Sequence, residues 1–135
     1  MGLNFVRLTY WVGGLVDLLA GIQLLLPTSV VLLGFRGLRE PGPAGYPAVM
    51  AAFLMFGFTL ILVWAHLRTV DRRQVLLFTL LVVIALAATN LAFAASGALV
   101  WTQVAGSLVI QAVLVAMFAT SYAIATREAA RRARG

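Results

Sequence analysis

The chain has no cysteine and no lysine, and among its 135 residues only four are acidic and one is histidine. Without cysteine there are no disulfides, thiolate metal sites or thiol redox chemistry, which excludes the quinone-linked disulfide enzymes of similar size. His66 alone cannot build a His-rich zinc set, and a bis-histidine haem within the chain is excluded. Beside Trp64 and Arg68 it reads as an interfacial anchor. Ser107 has no histidine base at a matching depth, which argues against a serine nucleophile. No strands are expected, so no glycine-rich phosphate loop can follow one. No metal and no cofactor are expected.

Charge is scarce too. Charged residues make up 10% of the chain and hydrophobic ones 63%, whereas soluble domains carry roughly 25% charged residues. With a mean hydropathy of +1.04, the composition is that of an integral membrane protein, with room for one compact domain. Arginine to the exclusion of lysine, with much Ala and Leu, suggests a GC-rich genome.

Four apolar segments reach the ~20 residues that a helix needs to cross a bilayer. They cover about 5–26, 47–67, 72–95 and 98–125, followed by a basic tail over 126–135. The first stops at Pro27, which cannot continue a helix. It is long for a signal peptide, contains Asp17 and lacks a small-residue cleavage site, so it reads as a mature span. Pro47 suits the first turn of the second span. Asp71 and Gln74 have the spacing of a capping box for the third. Ser96-Gly97 predicts a tight hairpin that makes spans three and four antiparallel neighbours.

Arginines near span ends predict orientation, because short cytoplasmic loops hold the excess of positive charge. Arg7, Arg68, Arg72, Arg73, Arg127, Arg131, Arg132 and Arg134 fall on one side, and Arg36 and Arg39 on the other. Both termini are therefore expected in the cytoplasm, in a prokaryotic inner membrane. The net charge of +6 reads as this topology pattern. Nucleic acid is excluded as a partner, since no basic soluble domain exists to carry it. The tail is expected to continue the last helix, with Glu128 and Arg132 paired four residues apart and its cations at lipid headgroups or a partner subunit.

The connection from Pro27 to Gly45 is too long for a simple turn. Its apolar Val30, Val31, Leu32, Leu33, Phe35 and Leu38 alternate with Arg36, Arg39 and Glu40, as expected of an interfacial or partly re-entrant segment. Glu40-Pro-Gly-Pro-Ala-Gly45 then reads as an irregular turn.

Asp17 is the only acidic residue inside a long apolar run. An ionisable group at that depth costs on the order of 3 kcal/mol by insertion scales, so it normally faces protein and has a partner. Tyr10, Gly14, Asp17 and Gly21 share one helical stripe; Gln103, Ser107 and Gln111 share another, with Tyr122 close to its extension; Thr79, Leu86 and Asn90 line up on the third span. Depth places Asp17 and Gln111 near the midplane and Gln23, Asn90, Gln103 and Ser107 in the outer half. Tyr10, Asp17, Gln23, Asn90, Gln103, Ser107 and Gln111 are thus the candidate ligand-binding residues, and Asp17 is the one candidate catalytic residue. Two readings stay open: an outward-facing polar pocket floored by Asp17 and Gln111, or hydrogen bonds from Gln111 or Asn90 to Asp17 that only hold helices in register.

Small residues mark the expected seams: Gly14 and Gly21, then Ala85, Ala88, Ala92 and Ala95, then Ala112, Ala116, Ala119 and Ala123. The second span, with bulky Phe53, Phe56, Phe58 and Trp64 and with Gly57 as its small site, is expected to face lipid, a second copy or a membrane-protein partner.

Arg7-Leu8-Thr9-Tyr10-Trp11 with Asp17 and Pro27, then Ala51-Ala52-Phe53-Leu54-Met55-Phe56-Gly57-Phe58-Thr59 with Trp64 and Arg72-Arg73, resembles small four-span prokaryotic membrane proteins of uncharacterised activity. In overall plan the chain is also similar to the DoxX-like group. The resemblance covers roughly the first three spans and transfers no catalytic residue.

The expected fold is an all-α integral membrane antiparallel four-helix bundle with an interfacial segment between helices 1 and 2. The expected function is binding of an apolar or amphipathic, lipid- or quinone-like ligand, or service as an accessory subunit, with membrane lipids as partners. The alternatives are an enzyme acting on a lipid-like substrate with Asp17 as acid or base, and an oligomeric proton- or cation-coupled transporter.

Overall fold

A run of apolar residues that meets no water must satisfy every backbone N–H and C=O within itself, which selects helix. In the computed structural model, which describes residues 2–32 and 35–134, α1 spans Gly2–Leu25, α2 Tyr46–His66, α3 Gln74–Ala95 and α4 Trp101–Arg132. All four are long and apolar enough to cross a membrane, and no more than 28% of any span is buried within the protein. The remaining apolar surface suits hydrocarbon.

Contacts divide the chain into two compact units, Met1–Thr9 with Ala65–Gly135, and Tyr10–Trp64. In the second unit, the stripe of glycines on α1 receives α2. Thr59 Oγ1 donates to the Gly14 carbonyl at 3.3 Å while also reaching Met55 O on its own helix at 3.0 Å. A Cβ on Gly21 would lie 2.5 Å from the Phe56 ring, so only glycine lets α2 come this close there. The opposite side of α2 carries Phe53, Leu54, Leu60 and Trp64, all exposed. Gly57 faces open space, and the small residue that α2 buries in this unit is Ala52.

The connection between α1 and α2 is a folded hairpin, where no strand was expected. Strand β1 (Val31–Leu32) pairs antiparallel with β2 (Phe35–Arg36), Val31 opposite Arg36 and Leu32 opposite Phe35. Leu33 lies outside the described residues, as do the side chains of Leu32, Phe35 and Arg36. The hairpin satisfies carbonyls left open at the end of α1: Leu38 N donates to Gln23 O at 3.0 Å and Arg39 N to Leu26 O at 3.0 Å. Gly37 is buried against the Leu26 and Pro27 carbonyls, where a Cβ would collide. A 3₁₀ turn over Gly42–Gly45 leads into α2, with Pro47 in its first turn.

In the first unit α3 and α4 are antiparallel neighbours. Their hairpin is closed by a Schellman motif, in which Gly97 N donates to Ala94 O and Ala98 N to Phe93 O, with Gly97 at φ 77°. Ala98 and Leu99 are held in this cap, so α4 begins at Trp101, three residues later than expected. α3 begins at Gln74 with Arg73 as its N-cap and no side-chain cap. The capping box expected from Asp71 does not form: a run of turns carries the chain from Leu67 to Arg73 and leaves Asp71 exposed.

The seam residues also differ from expectation. Ala85, Ala88, Ala92, Ala95, Ala112, Ala116, Ala119 and Ala123 are all exposed. α3 instead buries Leu76, Thr79, Val83 and Ala94, and α4 buries Val104, Leu114, Phe118, Ser121 and Ala125. Adding half-buried Ser107 and Gln111, the α4 positions alternate by three and four throughout, the spacing of knobs-into-holes packing. Alanine is accepted by lipid as readily as by a neighbouring helix, whereas Leu114 and Phe118 supply the volume that fills a seam.

The first two turns of α1 join this unit at the end where α4 finishes. Thr9 and Ser121 share a fully buried 2.7 Å hydrogen bond, and a Cβ on Gly2 would lie 2.9 Å from Ile124 Cγ2. α4 carries 32 residues, ~48 Å at the usual helical rise, well beyond a ~30 Å hydrocarbon layer. Its last turns therefore carry the basic tail into water, where Arg132 meets Glu128 at 3.7 Å as the spacing predicts.

Candidate functional site

The polar residues of spans three and four meet. Asn90, on α3 five residues before its end, points its amide at α4 and donates to Ser107 Oγ and to Gln111 Oε1, each at 3.3 Å. Ser107 passes its own proton to Val104 O at 2.8 Å, which leaves its oxygen free to accept. The four-residue spacing of Ser107 and Gln111 places both on the face of α4 that one Asn90 carboxamide can span. Both protons of the Asn90 amide are thereby used.

What stays open is complementary. The Asn90 carbonyl oxygen can accept, and the Gln111 NH₂ can donate twice. Among the described residues neither has a hydrogen-bond partner, and both residues are half-buried. The cluster lies ~8 to 15 Å from the hairpin end of its helices at the usual helical rise, inside segments long and apolar enough to cross a membrane. It contains no titratable group and no base beside Ser107. Its open acceptor and donors are of the kind that hydrogen-bond a neutral polar group such as a carbonyl or hydroxyl.

The other candidates are distributed as follows. Tyr10 is buried, Asp17 half-buried and Gln23 half-buried, all on α1 within the second unit. Gly14 and Gly21, on the stripe of Asp17, are taken up by contacts with α2. Among the described residues of that unit no side chain donates a hydrogen bond to Asp17. Gln111 belongs to the first unit, where its partner is Asn90. The side chain of Gln103 lies outside the described residues. Thr79, on the Asn90 stripe, is buried and bonded to its own Val75 carbonyl at 2.8 Å, while Leu86 is exposed.

One polar pair was missed in the sequence, the buried Thr9 and Ser121. The three-and-four alternation that runs through Ser107, Gln111, Leu114 and Phe118 next reaches Ser121, so the extension of the polar stripe is Ser121, with Tyr122 beside it and half-buried. Among the described residues no group of three or more His, Asp or Glu gathers to hold a metal. Comparison with protein-family models, with curated proteins and with solved structures gave no match, so function rests on these residues alone.

Proposed function

We propose that this chain is a small multi-pass protein of a prokaryotic inner membrane, with both termini in the cytoplasm, that holds the polar end of an apolar or amphipathic ligand at Asn90, Ser107 and Gln111. The observation that carries this reading is the pair of open groups on Asn90 and Gln111 at hydrocarbon depth. A cluster built only to hold two helices together would close its own hydrogen bonds, because each group left open in lipid costs several kcal/mol, on the order of 2 to 7 in apolar solvents. An acceptor beside a double donor matches a quinone carbonyl, a lipid ester or a glycerol hydroxyl.

Arg7, Arg68, Arg72, Arg73 and the arginines of the tail support the orientation. Asp17 and Glu40 balance Arg36 and Arg39, so the net charge of +6 resides entirely in the unit that contains those residues. Outward-facing Phe53, Leu54 and Leu60 on α2 fit lipid contact or an accessory-subunit interface.

The test is native mass spectrometry with lipid identification on wild type and on Asn90→Leu/Gln111→Leu. A lipid- or quinone-class molecule is expected with the wild type and absent from the folded double variant. Equal retention by both, or a wild type that releases no ligand under conditions that strip bulk lipid, rules the reading out.

A further inference from the structure

At the arginine end of the first unit, between the first turn of α1 and the last turns of α4, lies an open cleft of about 720 Å³. Gly2, Leu3 and Ile124 give it an apolar floor, and Arg127, Arg131 and Arg134 stand along one wall. The three arginines are spaced by four and three, so they project from one face of the chain. Glu128 also lines the cleft, but its carboxylate is engaged by Arg132, which is not among the lining residues. Among the described residues no carboxylate pairs with Arg127, Arg131 or Arg134. The approach that shapes the cleft is fixed from below by the Thr9–Ser121 bond and the Gly2–Ile124 contact.

We infer that this cleft is a binding site for a phosphate group, monoester or diester, carried on an apolar or small organic body. Guanidinium forks match phosphate oxygens two at a time, and Arg is suited to this where Lys acts only as a point charge. Three guanidiniums against one carboxylate, that of Glu128, which already pairs with Arg132, are more than orientation requires of a helix end, and apolar floor beneath cationic wall fits a phosphate joined to a hydrophobic group. The site is separate from the Asn90 cluster, and each can fail without the other.

The phosphate has two sources, an anionic lipid of the adjoining leaflet or a soluble phosphate ester. The full chain in mild detergent, stripped of lipid, is titrated with phosphatidylglycerol or phosphatidylcholine and read by native mass spectrometry, with and without inorganic phosphate. Arg127→Gln/Arg131→Gln is compared with Arg68→Gln, which does not line the cleft, all at exposed positions, with circular dichroism and size exclusion confirming the fold.

Phosphatidylglycerol is expected to bind wild type well above phosphatidylcholine, to lose roughly thirtyfold in affinity in the double variant, and to change less than twofold in Arg68→Gln. Displacement by millimolar phosphate identifies a site open to soluble phosphate esters; resistance identifies the lipid. Equal losses in the double variant and in Arg68→Gln would overturn the inference, since the arginines would then act only as diffuse charge. So would a wild type that does not distinguish the two lipids and does not bind phosphate.

Discussion

Replacing Thr9 by Val and Ser121 by Ala, singly and together, measures the bond that ties the start of α1 to α4. Thr9 Oγ1 donates to Phe5 O at 3.1 Å, which uses its only proton, so in the 2.7 Å contact Ser121 is the donor. The two substitutions are therefore unequal. Thr9→Val keeps the side-chain shape but strands the Ser121 proton, whose remaining acceptor is the carbonyl one turn back on its own helix. Ser121→Ala leaves Thr9 still bonded to Phe5.

Interhelical hydrogen bonds in membranes average about 0.6 kcal/mol and reach ~1.7, and this one is short and fully buried. Thr9→Val is expected to cost about 1.5 kcal/mol and Ser121→Ala about 0.8, given the penalty for an unmet buried donor. The double variant should cost roughly 1 kcal/mol less than the sum, because with both hydroxyls gone neither is left unmet. Reversible unfolding in mixed micelles, followed by far-UV circular dichroism against SDS mole fraction, reads all four proteins. Additive losses would refute the coupling, and a larger loss for Ser121→Ala would refute the direction of donation.

Three further substitutions extend the same logic under the same assay. Gly21→Ala drives a Cβ into the Phe56 ring and should cost about 1.5 kcal/mol as overpacking, whereas Gly57→Ala, with nothing within 4 Å, should stay within about 0.5; equal effects would remove the case for close approach at Gly21. Gly97→Ala meets a φ of 77° in the hairpin cap and should cost about 1 kcal/mol, and a neutral result would mean the cap does not set the turn. Asp17→Asn removes a half-buried carboxylate with no side-chain donor among the described residues of its unit and should raise stability by roughly 1 kcal/mol; a loss would reveal a partner for the charge.

Helix existence was legible because apolar length alone decides it: α1 to α4 occupy the expected segments with ends shifted by a few residues. So was the tail, since Glu128 and Arg132 lie on a polar stretch where four-residue spacing has one meaning. Depth and face set Asn90 and Ser107 at one level, but they put Gln111 at the midplane with Asp17, whereas it bonds to Asn90. Which apolar face packs was not legible, because in lipid both faces of a helix are apolar and periodicity no longer marks an inside. That is why alanine was mistaken for seam and Ser121 was passed over. Asp71 failed as a cap because the chain spends Leu67 to Arg73 in turns, and local spacing does not reveal where a helix starts after a turn. The pairing of β1 with β2 escaped notice because two-residue strands leave no alternation to read.

The Schellman hairpin between α3 and α4 also bears on how the protein enters a bilayer. The five residues between the helices, Ser96 to Val100, carry no charge, and the cap already returns the amides of Ser96 to Leu99 to the Ala92, Ala94 and Phe93 carbonyls. In the proposed orientation, a preformed helical pair can thus push this tip through hydrocarbon without dragging an ion, while Arg68, Arg72 and Arg73 at one foot and Arg127 to Arg134 at the other stay behind as anchors. In the same orientation the loop between α1 and α2 has to take Arg36, Arg39 and Glu40 with it. Of the two hairpins, α3–α4 is the one built to insert unaided.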